Sequence, residues 1–391
     1  MEYFEMTSIL IILAASVSFS VVAVGLILHL SHQKSWYDHI DERKIHNGDI
    51  PRLGGVGFAL IFIITVTLIS IFTRKIESGI RFLPCLAGIF ITIAFGVWDD
   101  FRPMAPRLKF LMQFIAAFCV IIPGYTFKRI IYIETGALGG LLSDLRWLGY
   151  PITLLWIVGL ANALNFIDGV DGLAGGLSAL IALTFGLIFF SYAETPQAVL
   201  FCVSLLGVVI GFLVFNAPIP QAKIFMGDCG SQFLGFTLAL MPLLEEHTTR
   251  AALPVPYAAA LLAIPIFDTI ASVWRRIRDK KRIDSPDRLH IHHKLMNLGL
   301  GSRGVDAVLY GLQILLGVLV YISVRVQGWV SLLILGITYL VVILFFTIIH
   351  FLNRRFAPAA DTGLKNGRDG GGGARAGPGG GGWGVGGRRG R

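Results

Sequence analysis

The chain alternates long apolar runs with short polar connections. An α-helix needs roughly 20 apolar residues, within a range of about 17 to 25, to cross the hydrocarbon of a bilayer. Eleven segments of this kind predict helices near 7–30, 54–73, 82–98, 108–124, 148–165, 172–192, 198–215, 232–245, 253–274, 304–324 and 329–352. The segment at 232–245 is short for a span and reads as tilted or re-entrant. The first run, Met6 to Leu30, is too long for the apolar core of a cleaved leader and lacks a basic start, so it predicts a retained span. The expected fold class is all-α: a polytopic integral membrane protein of about 11 transmembrane helices.

Composition agrees with the pattern. Hydrophobic residues make up 55% of the 391 positions and charged residues only 15%, against about 25% charged in ordinary soluble domains. A water-soluble fold is thereby excluded. The four cysteines, Cys85, Cys119, Cys202 and Cys229, show no metal or redox spacing and predict free thiols.

The distribution of Lys and Arg predicts the orientation. The connections after odd-numbered spans, with the C-terminal tail, hold 25 of the 33 basic residues, and the other side holds the remaining 8. The N-terminus is therefore expected outside and the C-terminus in the cytoplasm. On this topology the segments with chemical potential all meet at the cytoplasmic face. Two regions are expected: a membrane-embedded domain over 1–355, and a Gly/Arg-rich tail over 356–391 with almost nothing to bury, expected to be a disordered cytoplasmic extension. Gly/Arg repeats also occur in RNA-binding segments, but nucleic acid is not the expected partner.

The richest stretch is NALNFIDGVDGLAGG, Asn162 to Gly176. Asn162, Asn165, Asp168 and Asp171 recur every three residues. On a continuous helix they would form a slowly winding polar stripe. Ionisable groups beside lipid are costly, so a functional site is the default reading; solvated caps at an interfacial helix end are the plainer one. Asp99 and Asp100 end the third span in FGVWDDF. Adjacent carboxylates cannot share one helix face, so separate parts are expected, one as a general base. Lys109 opens the next span and either meets a phosphate over the same pocket or snorkels at the membrane edge.

Three further segments complete the set. In FMGDCGS, Asp228 lies between glycines at the start of a span. With Asn165 it would suit Mg2+, which takes one or two protein carboxylates and completes its shell with phosphate oxygens and water. Capping of the following helix is the alternative. In DRLHIHHKL, His290, His292 and His293 stand beside Arg288 and Lys294. Zinc comes first to mind, but no Cys or HExxH context supports it, and the neighbouring charges favour phosphate binding. In RKIHNGDIPRLGG, the residues Lys44, His46 and Arg52 either cover a diphosphate or serve as positive-inside punctuation. Spacing alone does not separate these two readings.

The order DD…K, NxxNxxDGxDGL, FMGDxGS and HxHH across this many spans resembles the polyprenyl-phosphate N-acetylhexosamine-1-phosphate transferases, the superfamily of MraY, WecA and TagO. The resemblance covers residues 1–355, and the first loop and the HIHH form look more like the WecA/TagO branch. It implies a bacterial cytoplasmic-membrane enzyme. Undecaprenyl phosphate attacks the β-phosphate of a UDP-N-acetylhexosamine, giving a polyprenyl-diphosphate-linked sugar and UMP for cell-envelope polysaccharide synthesis. It implies Mg2+, with Mn2+ as a possible substitute, and a possible homodimer. By this resemblance Asp99 is the base, Asp100 assists it, and Asp228 with Asn165 holds the metal. Asp168 orients the metal shell or the lipid phosphate. Asp171 reads the uracil edge with Phe225 stacked on the ring. His290, His292, His293 and Arg288 bind phosphates, and Lys44, His46, Arg52, Lys109 and Asn162 complete the substrate-binding set. Two alternatives stay open: MraY-type phospho-N-acetylmuramoyl-pentapeptide transfer, and a secondary transporter. A transporter would carry polar groups at mid-span and internal hydropathy symmetry; the sequence offers neither.

Overall fold

The computed structural model describes residues 2–37, 50–72, 76–127, 146–192, 196–217, 221–244, 253–282, 287, 289–326 and 328–356. Lys44, His46, Arg288, most of the outer stretch 125–147 and all but the first residue of the Gly/Arg tail lie outside the described residues.

Among the described residues the chain is helical, with one isolated antiparallel bridge between Tyr37 and Pro51. The helices in chain order are α1 (Glu2–Lys34), α2 (Gly54–Phe72), α3 (Ile76–Phe101), α4 (Pro106–Ile121), α5 (Gly149–Ile167), α6 (Leu173–Tyr192), α7 (Pro196–Asn216) and α8 (Gly227–Leu240). They continue with α9 (Val255–Leu261), α10 (Ala263–Arg278), α11 (Ile291–Asn297), α12 (Ser302–Arg325) and α13 (Gly328–Phe356). Eight are long and apolar enough to cross a membrane: α1, α2, α3, α5, α6, α7, α12 and α13. Large apolar side chains such as Leu10, Phe19, Leu155, Ile343 and Phe351 point away from the protein. That surface is expected where the solvent is lipid.

The other expected spans depart from the pattern for identifiable reasons. The segment near 253–274 is not one straight helix. It breaks at Leu262, and α9 and α10 meet at 88°. Pro265 is responsible, because it has no N–H to offer the carbonyl of Leu261 and its ring crowds that carbonyl. The orphaned Leu261 oxygen is satisfied from elsewhere: the buried Gln313 of α12 donates its Nε2 to it at 2.9 Å. Helix α4 has 16 residues and α8 only 14, or about 24 and 21 Å. The length of α8 is not set by the bilayer, since every residue from Cys229 to Leu240 is buried inside the bundle.

Helix α8 is the axis of the fold, packed against α2, α3 and α5. Apolar side chains gain little from leaving lipid for a neighbouring helix, so close backbone approach and interhelical hydrogen bonds hold such a bundle together. Both are present. Gly96 of α3 lies against Cys229, and Gly235 lies against the Leu160 carbonyl of α5, so closely that no Cβ would fit at either glycine. Phe233 packs edge-on to Phe58 and Phe62 of α2, with centroids 5.6 and 5.3 Å apart. An amide cluster then ties three helices: Gln113 of α4 donates to Gln232 of α8 at 3.1 Å, and Asn162 of α5 donates to Gln113 at 2.7 Å.

Candidate active site

The polar ends of α3, α4, α5 and α8 meet at one end of the bundle. A connection of four residues joins α3 to α4, whose first position is Pro106, pre-set for a helix start. This tight reversal brings Lys109 back over Asp99. Asp99 and Asp100 are both buried and turn to different partners. Asp99 accepts the backbone N–H of Met104 through Oδ1 at 2.7 Å and is ion-paired through Oδ2 with Lys109. The same ammonium lies 2.8 Å from Asp228 Oδ2. Lys109 therefore bridges two carboxylates from different helices.

Asp100 has a different task. Its Oδ1 accepts Arg52 Nη2 at 3.0 Å and the backbone N–H of Asp228 at 2.8 Å; its Oδ2 accepts the N–H of Cys229 at 3.1 Å. It thus satisfies free amides of the first turn of α8 from a neighbouring helix. The turn that presents Asp228 depends on Gly227, whose φ is +69° and where a Cβ would fall 2.6 Å from Asp100 Oδ2. Two loops brace it. The Phe225 N–H donates to the Pro51 carbonyl at 2.8 Å, and Gly54 and Gly55 donate to the carbonyls of Phe225 and Met226 at 2.9 and 3.0 Å. Arg52 and half-buried Phe225 are thereby fixed beside the site.

The polar stripe expected along one helix is divided. Helix α5 ends at Ile167, so Asn162 and Asn165 are helical while Asp168 and Asp171 lie in the loop beyond. The two glycines of the DGxDG segment provide the physical reason for the break. Asn165 donates Nδ2 to Asp228 Oδ1 at 3.1 Å and to Ser231 Oγ at 2.9 Å. Asn162 belongs to the amide cluster beneath the site. Asp171 accepts the backbone N–H of Ala222 at 3.0 Å, tying the two loops together. Asp168 is partly accessible as a residue, yet packing around its carboxyl, then the negative charge of Asp228, Asp100 and Asp171, push its pKa up to about 8.

The histidine segment arrives from the far side. His292 is buried against the loop, and a Cβ at Gly169 would fall 2.5 Å from its Nε2. Burial first, and then His293, push the His292 pKa down to about 3, while Asp268 opposes the shift; the ring is neutral at pH 7. His290 lies parallel to His292 with centroids 5.9 Å apart and packs on Phe166 at 5.6 Å. Arg276 covers the same phenyl ring at 5.5 Å. Beside the carboxylates runs a cleft with Phe95, Met104 and Met112 on its apolar side and Asp99, Lys109 and Gln113 on its polar side.

Among the described residues, no three Asp, Glu, His or Cys side chains converge closely enough to enclose a metal ion. A zinc centre at the histidines, which needs at least three side-chain ligands, does not fit. Mg2+ does fit, because it needs only one or two carboxylates here and takes its other ligands from phosphate and water. Asp228 and its neighbour Asn165 are the donors to hand. Burial is the first cause of the raised pKa of Asp168, and the negative charge of Asp228, Asp100 and Asp171 that adds to it is of the kind a divalent cation offsets.

Sequence reasoning missed several residues at the site. Gln113 and Gln232 are lone amides within apolar runs, and Asp268 is a lone carboxylate within the ninth expected span. Each carried a readable signal, since polar groups in such runs need partners. Ser231 was the last letter of the FMGDCGS segment but was given no role, and Phe166 carried no signal.

Fold and site together define a polytopic membrane protein with an acidic, lysine-bridged centre at one end of its helix bundle. The sequence profile of Glycosyl transferase family 4 matches residues 82–245. The chain is 32% identical over 323 residues to the probable undecaprenyl-phosphate N-acetylglucosaminyl 1-phosphate transferase of Bacillus subtilis (strain 168), covering 82% of this chain and 86% of that protein. It is 30% identical to the undecaprenyl-phosphate alpha-N-acetylglucosaminyl 1-phosphate transferase of Escherichia coli O157:H7, over 76% of this chain and 80% of that one. It is 32% identical to the decaprenyl-phosphate N-acetylglucosaminephosphotransferase of Mycobacterium leprae (strain TN), over 74% and 77%. The chain belongs to glycosyl transferase family 4.

Proposed function

We propose that this protein transfers N-acetylglucosamine 1-phosphate from UDP-N-acetylglucosamine to undecaprenyl phosphate in a bacterial cytoplasmic membrane, releasing UMP. The names of the relatives support the substrates. The observation that carries the reading is the Asp99–Lys109–Asp228 bridge at the mouth of an apolar-sided cleft. An amphipathic acceptor matches such a cleft, with its prenyl chain against Phe95, Met104 and Met112 and its phosphate at Lys109.

On this reading Asp99 takes the proton of the lipid phosphate, and Lys109 attracts that phosphate and holds it in line. Asp228 and Asn165 would hold Mg2+, with Mn2+ as a substitute, and the ion would offset the charge of the two approaching phosphates. Asp100 keeps the first turn of α8, and so Asp228, in place. Asp168 would orient the metal shell or the lipid phosphate. Asp171 is engaged with Ala222, which favours holding the loop over reading the uracil. His292, neutral and buried, offers a hydrogen bond rather than a charge, and His290 and His293 meet the donor phosphates. The basic-side orientation supports a cytoplasmic site with the C-terminus on the same side. The secondary-transporter reading loses support because Asp99, Asp100, Asp168, Asp171 and Asp228 lie at or just beyond helix ends.

The test is UMP release from membranes supplied with undecaprenyl phosphate, Mg2+ and a panel of UDP-N-acetylhexosamines. Release with UDP-N-acetylglucosamine that stops with EDTA supports the proposal. Release with another donor corrects the sugar. No release with any donor, from folded protein, overturns it.

A further inference from the structure

Asp268 takes no part in the site as derived above. It lies on α10 between one and two turns past the break, and it is 2% exposed. An ionised group buried this deeply in a span is costly unless each oxygen is satisfied. Both are: Oδ2 lies 2.7 Å from Nδ1 of His290, and Oδ1 accepts the backbone N–H of Ile291 at 2.8 Å. One carboxylate therefore grips two consecutive residues at the start of α11, whose first turn carries His292 and His293. A carboxylate only accepts, so the proton in the contact with His290 belongs to Nδ1. The other neighbours of the histidine are fixed as well. His290 packs on Phe166, which Arg276 covers. Asp287, three residues upstream, is held by Ser272 Oγ at 2.7 Å and Arg275 at 2.6 Å.

We propose that Asp268 is the positioning residue of the histidine segment. It holds one proton of His290 on Nδ1, so that Nε2 is the atom that takes up a second proton from solvent; the ring, then charged and paired with the Asp268 carboxylate, donates from Nε2 to a phosphate oxygen of the nucleotide-sugar donor. Its second oxygen pins the first turn of α11, which sets the register of His292 against Gly169. The proposal rests on the UDP-sugar reading given above and extends it from the phosphate-binding histidines to the group that orients them.

The informative substitution is Asp268→Asn. The amide keeps an oxygen for the Ile291 N–H but turns an NH2 toward Nδ1, which forces the proton of the neutral ring to Nε2 and removes the carboxylate that pairs with the charged ring, so that only a neutral donor is left for the phosphate. Two readouts follow, in full-length protein in membranes. In a 15N-histidine spectrum, with the signal assigned by His290→Gln, the wild-type proton is on Nδ1 and the Asp268→Asn proton is on Nε2. In the UMP-release assay, Asp268→Asn raises the donor KM by about 10-fold or more and leaves the lipid-acceptor KM within about 2-fold, and the double variant with His290→Gln is no worse than His290→Gln alone. Asp268→Glu, which keeps the charge, keeps the Nδ1 proton and recovers part of the donor KM; it is the variant to read if Asp268→Asn does not fold. An unchanged spectrum in Asp268→Asn, or effects of Asp268→Asn and His290→Gln that multiply, overturns the proposal. If wild-type protein releases no UMP, the functional reading fails, and the spectrum still decides whether Asp268 governs His290.

Discussion

Asp100 and Asp99 are adjacent, and the structure separates their tasks in a way that substitution can measure. Asp100→Asn is nearly isosteric, so it changes hydrogen bonding without leaving a cavity. In the native site Oδ1 accepts Arg52 and the Asp228 N–H, and Oδ2 accepts the Cys229 N–H. If the amide oxygen replaces Oδ1, the new NH2 faces the Cys229 N–H; if it replaces Oδ2, the NH2 faces Arg52 and Asp228. Either way one donor meets another donor, and the remaining bonds lose their charge assistance. Hydrogen bonds to charged groups contribute about 1.5–3 kcal/mol each, and leaving part of a buried ion pair uncompensated costs about 3–5 kcal/mol. Arg52 is partly solvated, with 28% of its side chain exposed, so the lower figures apply and a loss of about 3 kcal/mol is expected. The assay is thermal unfolding in detergent alongside UMP release. Asp100→Asn should melt several degrees lower and lose activity together, because the α8 turn that presents Asp228 loosens. Asp99→Asn, which also gives up an ion pair, should melt lower too, but should lose more activity than that fall in stability accounts for. An Asp100→Asn protein with wild-type melting and no activity would refute the reasoning and return Asp100 to the chemistry itself.

Gly227→Ala should act through the same turn. Its φ of +69° costs an L-residue roughly 1–2 kcal/mol, and the added methyl would strike Asp100, so both melting temperature and UMP release should fall; a wild-type-like variant would contradict the geometry. Lys109→Met removes the ammonium between Asp99 and Asp228, and should raise the KM for undecaprenyl phosphate by at least about 10-fold, the loss of one charge-assisted phosphate contact; an unchanged acceptor KM would show that Lys109 only bridges the two carboxylates. Acid should destabilise the protein through His292. Its pKa is about 3 when folded against an ordinary 6.5, so the unfolded chain binds the extra proton, and stability falls as pH drops from 6.5 toward 3 by at most about 1.4 kcal/mol per pH unit. His292→Gln should flatten that part of the stability-versus-pH curve, and a curve of unchanged slope would contradict the burial argument.

Much of this was legible in the chain before its geometry was known. Hydropathy alone marks the long spans, because a lipid-facing helix must be apolar over most of its length. The motif residues of the centre carry their signal in polarity placed where membrane helices end. What periodicity did not show was where helices stop or bend. Asp168 and Asp171 fit a helical spacing, yet the DGxDG glycines end the helix at Ile167. Pro265 bends the ninth span, and Gln313, 52 residues after Leu261, accommodates the freed Leu261 carbonyl. The division of labour between Asp99 and Asp100 was also out of reach beyond the expectation that they differ, since it depends on which neighbour each carboxylate meets across the bundle. Asp268 was legible as a lone carboxylate in an apolar run, but its partner at His290 is a tertiary fact.

The most direct measurement follows the phosphorus. Membranes containing the protein, undecaprenyl phosphate and Mg2+ would be given UDP-N-acetylglucosamine labelled in its β-phosphate, and the lipid and nucleotide products separated. Transfer of sugar 1-phosphate predicts that the label leaves with the lipid and that the nucleotide product is UMP. Label retained on released UDP, with unlabelled sugar on the lipid, would mean ordinary glycosyl transfer and would contradict the account.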